Sequence, residues 1–81
     1  MNDYVVKTPQ QLGSILQGYR RERALTQREV GAKVGLAQKA VSKIELAPGR
    51  AGLNQIFKLL AALDLEIVVR RREAPARRSE W

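Results

Sequence analysis

Apolar residues recur along this chain at helical spacing as far as residue 63, and at strand spacing after it. Leu12, Ile15, Leu16 and Tyr19 mark one face of a helix expected over 9–23. Val30 and Val34 are four apart, as are Leu36 and Ala40, while Val41 and Ile44 are three apart. These pairs predict two short helices, over 27–34 and 38–45, around a tight turn. Leu53, Ile56, Phe57, Leu60 and Leu63, with Leu59 beside them, predict a further helix over 53–63. Its stripe is more apolar than a small solvated helix needs, so one side reads as core and the other as a dimer contact. From Leu65 the pattern changes. Leu65-Glu66-Ile67-Val68-Val69-Arg70 is rich in branched residues and predicts a strand. A lone strand lacks a partner inside a helical domain, and the same strand of a second copy is the simplest one.

Capping residues punctuate this pattern. Thr8-Pro9-Gln10-Gln11 combines a cap, a proline suited to the first helical turn and a Gln three residues after the cap. Thr26 and Glu29 repeat the capping-box spacing before the second helix. Gly35 stands where that helix must stop, a position that often needs positive φ. Gly31 is small in mid-helix, where glycine costs about 1 kcal/mol against alanine, and close approach of the next helix would account for it. Residues 46–52 carry Pro48-Gly49 and read as a loop. Tyr4-Val5-Val6 reads as an arm that either pairs as a strand or packs on a neighbour. The chain thus divides into an arm at 1–7, a helical domain at 8–63, a dimerisation strand at 64–72 and a flexible tail at 73–81.

The stretch from Gln27 to Ile44 is a helix-turn-helix pattern. It places a small residue at Gly31, glycine at Gly35, and apolar residues at Val30, Val34, Leu36, Val41 and Ile44. A plain helical hairpin would explain the apolar spacing. It would not explain why the exposed side of the second helix carries Gln38, Lys39, Ser42 and Lys43. Those residues, with Gln27, Arg28, Ala37 and Arg50, are the candidate DNA contacts. Arg20, Arg21 and Arg23 crowd the end of the first helix, where their charge complements the helix dipole, a role as apt for Arg21 and Arg23 as DNA contact.

Composition narrows the function. At 81 residues there is room for one small domain. The net charge is +7, and the twelve residues from 70 onward carry +3 of it. A basic balance suits a phosphate backbone, although a solvated surface could also be this basic. With no Cys and no His, disulfides, thiolate metal sites and histidine catalysis are excluded. No cofactor is expected. Ser42, Thr26, Asp64 and the glutamates show no spacing that brings a nucleophile to a base, so no enzyme is expected either. The longest apolar run is far short of a membrane span. The chain reads as cytosolic, associated with the nucleoid.

Leu25-Thr26-Gln27, Gly35 and Ile44-Glu45 give the pattern L-T-Q…G…I-E, which resembles the Xre (Cro/repressor) family over about residues 9–63. The resemblance implies an all-α, lambda-repressor-like domain of four to five helices. It implies that the helix bearing Gln38 reads the major groove and that Gln27 holds a phosphate at its own helix N-terminus. It also implies that Arg20 pairs with Glu45. Ala37 stands where that family usually has a polar or basic residue. Within the family the chain resembles the HipB antitoxins in the helix Leu53-Asn54-Gln55-Ile56-Phe57-Lys58-Leu59-Leu60, in the strand after it, and in the closing Glu80-Trp81. That likeness implies a homodimer joined through Leu65, Ile67, Val68 and Val69, a palindromic operator, and a HipA-like serine/threonine kinase toxin gripped in part by Trp81. An accident of the tail is the other reading of Trp81. A stand-alone Xre repressor, or an antitoxin of another toxin type, fits the DNA-binding half as well.

Overall fold

The computed structural model describes residues 3–72. Four helices carry the chain: α1 at Pro9–Glu22, α2 at Gln27–Ala32, α3 at Gln38–Leu46 and α4 at Leu53–Ala62. A single 3-10 turn, Pro48–Arg50, lies inside the expected loop. Both capping boxes form as read. The Thr8 hydroxyl accepts from the Gln11 N–H at 3.2 Å, and Gln11 Oε1 accepts from the Thr8 N–H. The Thr26 and Glu29 pair repeats the arrangement at 3.0 and 2.8 Å. Each box satisfies two backbone donors that the start of a helix leaves open.

The helix starts therefore fall where local chemistry puts them, and the ends shift slightly. α2 stops at Ala32, two residues before the expected end, because the chain turns through Lys33 and Val34 to Gly35, whose φ is +73°. The Val34 and Leu36 N–H groups both turn back to the Gly31 carbonyl, at 3.0 and 2.9 Å. Gly31 is small for the expected reason. A Cβ there would run into the Leu36 carbonyl oxygen and come within 3.0 Å of Val41 Cγ2.

The core is formed by Leu16, Val30, Leu36, Val41, Ile44, Ile56, Leu59, Leu60, Ala62 and Leu63. Every helix thus contributes to one apolar centre, and burying it is what holds α2 and α3, too short to persist alone, in place. Leu12 and Tyr19 pack on this centre from α1, half-buried as the α1 stripe implied. Tyr4 of the arm sets its ring edge-on to Tyr19, with centroids 5.9 Å apart, so the arm packs on α1 of its own chain. Burial, and then the nearby Tyr4, Glu22 and Asp3, raise the Tyr19 phenol above its ordinary value.

The apolar stripe of α4 divides as its excess implied: Ile56, Leu59, Leu60 and Leu63 are buried, whereas Leu53 and Phe57 are 66% and 52% exposed. Helical spacing brings them next to the buried residues, but in one chain nothing covers them. Residues 65–72 form no strand in the single chain. A strand must pair its N–H and C=O groups with another, and no second strand is present among the described residues. Leu65 reaches the core, while Ile67, Val68 and Val69 face water. Trp81 and the rest of 73–81 lie outside the described residues. Among the described residues, no helix is long and apolar enough to cross a membrane.

Candidate nucleic-acid interface

α3 divides its surface in two. Val41, Ile44 and Glu45 are buried against the other helices. Lys39 and Lys43 are exposed and Ser42 is half-buried away from that face, and the exposed Gln38 borders it. No acidic side chain stands among them. The acids nearest in sequence are engaged: Glu29 closes the capping box of α2, and Glu45 is paired inside the domain. The exposed side of α3 is therefore polar and cationic up to its last residue, Leu46, which is apolar and 76% exposed.

The amino ends of α2 and α3 meet at this surface. Gln27, the first residue of α2, and Gln38, the first of α3, touch through Gln38 Nε2 donating to Gln27 Oε1 at 3.3 Å. Gln27 Nε2 in turn donates to Glu45 Oε1 at 3.1 Å. Arg28 is exposed next to Gln27. Ala37 is the cap residue of α3 and supplies no side-chain acceptor; its carbonyl accepts from the Ala40 N–H at 3.0 Å, and no side chain caps the helix. Arg50 stands apart from this group. It belongs to the 3-10 turn beyond the C-terminal end of α3, the far end from Gln38.

Glu45 anchors the arrangement. Its side chain is 1% exposed, and Arg20 Nε approaches Oε2 to 2.6 Å while Nη2 approaches Oε1 to 3.1 Å. Arg20 Nη1 donates to the Leu25 carbonyl at 2.8 Å, which ties the turn before α2 to the same pair. Gln17 Nε2 adds a contact to Glu45 Oε1 at 3.4 Å. Gln17 lies three residues before Arg20, one turn back on the same face of α1, and that spacing is its only signal in the sequence. Arg23 belongs elsewhere: its Nη1 lies 3.2 Å from Asp64 Oδ2 at the end of α4, an exposed pair worth at most about 1 kcal/mol.

Two short helices crossing at a glycine turn, the second with a free cationic side, define a helix-turn-helix domain. The family profile described as helix-turn-helix matches residues 16–69, and the chain belongs to that family. Within it the chain is HipB-like. It is 30% identical to antitoxin HipB of Escherichia coli over 64 residues, which span 79% of this chain and 68% of that protein. The fold overlays on a chain of a HipA–HipB–O2–O3 complex with a TM-score of 0.84 at 27% identity, covering 88% of this chain and all of the other. A chain of a HipB–O4 20mer complex gives the same TM-score, identity and coverage.

Proposed function

We propose that this protein is a dimeric DNA-binding repressor that serves as antitoxin to a HipA-like serine/threonine kinase and represses its own operon. One observation carries the DNA half of this reading. α3 leaves Gln38, Lys39 and Lys43 exposed and Ser42 half-buried beside the amino end of α2, where Gln38 touches Gln27. A helix of this width fits the major groove. Gln38 and Lys39 would then reach base edges, with Ser42 and Lys43 a turn further on. Gln27, Arg28, the backbone at Ala37 and, beyond the helix, Arg50 would hold phosphates and set the docking angle. The arm at 1–7 and the domain at 8–63 would act as one unit, with 64–72 and 73–81 as appended segments.

The antitoxin half rests on the similarity to HipB and to chains solved in complexes with HipA and with 20mers. The exposed Ile67, Val68 and Val69 suit a strand that pairs with its symmetry mate, with Leu65 at the core end. A two-fold dimer sets two recognition helices about 34 Å apart, which calls for a palindromic operator. Trp81 would add an aromatic anchor to the kinase interface. The protein would act by binding alone, as a regulator rather than an enzyme, in the cytoplasm at the nucleoid.

Co-expression with the HipA-like kinase, copurification, and surface binding of full-length and 1–76 chains test the reading. A stable complex that also binds operator DNA is expected, with faster dissociation of the kinase from the truncated chain, because loss of an anchor acts mostly on that rate. No complex with the full-length chain would remove the antitoxin role and leave a stand-alone repressor. An unchanged dissociation rate would remove only the role given to Trp81.

A further inference from the structure

Two non-helical stretches flank the helical domain, residues 3–7 before α1 and residues 66–70 after α4. Among the described residues, no backbone N–H or C=O of 4–6 or of 66–69 bonds to another backbone group. Their apolar side chains, Tyr4, Val5 and Val6 in one and Ile67, Val68 and Val69 in the other, are all exposed. We propose that the arm of one copy lies antiparallel beside the 66–70 segment of a second copy, with Asp3 opposite Arg70 and Lys7 opposite Glu66. This rests on the dimer reading above and widens its seam from two strands to four. A two-stranded ribbon is marginal in water, whereas three or more strands with an apolar face are stable.

Charge sets direction and register. Laid antiparallel with Val5 against Val68, the stretches match Tyr4 with Val69 and Val6 with Ile67, and both flanking pairs are of opposite sign. Laid parallel, the same apolar match sets Asp3 against Glu66 and Lys7 against Arg70, two like-charge pairs. An antiparallel slip of one residue sets either Glu66 or Arg70 against an apolar residue of the arm.

The faces agree with this register. Side chains along a strand alternate, so Tyr4 and Val6 share a face with Leu65, Ile67 and Val69. That face is apolar throughout, and two of its members already touch the domain: Leu65 packs against the core, and Tyr4 sets its ring on Tyr19. The opposite face holds Val5 and Val68 between the two charge pairs. The Lys7 N–H donates to Gln11 Oε1 at 2.6 Å, so Tyr4 and Val6 are the residues that turn N–H and C=O toward the new strand. Val5 and Val68 then form a non-hydrogen-bonded pair, with Cα atoms roughly 4.5 Å apart. Within one chain the two stretches stay unpaired, so the pairing calls for a second copy.

The test uses the absence of cysteine from the chain. A full-length Val5→Cys chain and a tagged Val68→Cys chain are co-expressed and oxidised. A mixed, disulfide-linked product is expected, because the pair lies within the roughly 4.4–6.8 Å that a disulfide spans. With Val69→Cys in place of Val68→Cys the side chains point to opposite faces, and the mixed product should be lost. Separately, Asp3→Lys should raise the dimer dissociation constant about three- to thirtyfold at low salt, two such pairs being present per dimer. Asp3→Lys with Arg70→Asp should bring it back to within about twofold of wild type. A stable wild-type dimer whose Val5→Cys and Val68→Cys chains give no mixed product overturns the proposal and leaves the two-stranded seam standing. A mixed product as large with Val69→Cys, or a double charge variant no tighter than Asp3→Lys alone, overturns the register and the proposal with it. A wild-type chain that sediments as a monomer overturns both this and the dimer reading.

Discussion

The Nε of Arg20 lies 2.6 Å from Oε2 of Glu45, a contact that joins α1 to α3 across 25 residues of sequence. The two side chains are 10% and 1% exposed. Glu45→Ala would leave a guanidinium in the interior without its carboxylate, which costs about 3–5 kcal/mol. Glu22→Ala, at an exposed position near the end of α1, should cost close to nothing. Thermal unfolding of the two variants separates them, and equal melting temperatures would refute a structural role for the pair.

Gly13 marks the same crossing from the backbone side. A Cβ on Gly13 would meet the Glu45 carbonyl oxygen and come within 2.8 Å of Pro48 Cγ. Gly13→Ala should therefore destabilise by about 1–3 kcal/mol, as overpacking does. A Cβ on Gly18, on the same helix, meets nothing within 4 Å. Gly18→Ala should stabilise by about 1 kcal/mol through helix propensity. Denaturant titrations of the two variants should show midpoints moving in opposite directions.

On DNA, Gln38 and Lys43 should behave differently. Gln38→Ala is expected to cost about 1–3 kcal/mol on the preferred site and to flatten preference at one base position. Lys43→Ala should weaken binding to all sequences alike and lower the salt slope by about one, as a lost phosphate contact does. Titrations at several salt concentrations on specific and random duplexes distinguish the two. If Gln38→Ala left affinity and preference unchanged, α3 would not dock by its amino end.

Association should depend on the segment after α4. Val68 is 71% exposed in the single chain, and Val68→Pro would remove a ladder donor from a paired strand. Sedimentation equilibrium is expected to show a weaker dimer in that variant. An unaltered dimer would place the seam on the exposed side of α4, at Leu53 and Phe57, instead.

Features that depend on neighbours three or four residues away were legible in the residues. Thr8 with Gln11, and Thr26 with Glu29, start α1 and α2 where their spacing said, because a capping box closes within a single turn. Gly35 adopts the positive φ expected of it, and Gly31 admits α3 as its size implied. The Arg20–Glu45 pair came from family likeness rather than from spacing, since nothing local connects residues 25 apart. Other features appear only when the helices dock. Gln17 and Gln27 converge on Glu45 from two different helices, Arg23 pairs with Asp64 across 41 residues, and Gly13 is pressed against the end of α3. Leu53 and Phe57 carry the same apolar pattern as Ile56 and Leu60, yet they face water. Periodicity assigns a residue to a side of its helix, whereas the packing of the other helices decides which side is covered.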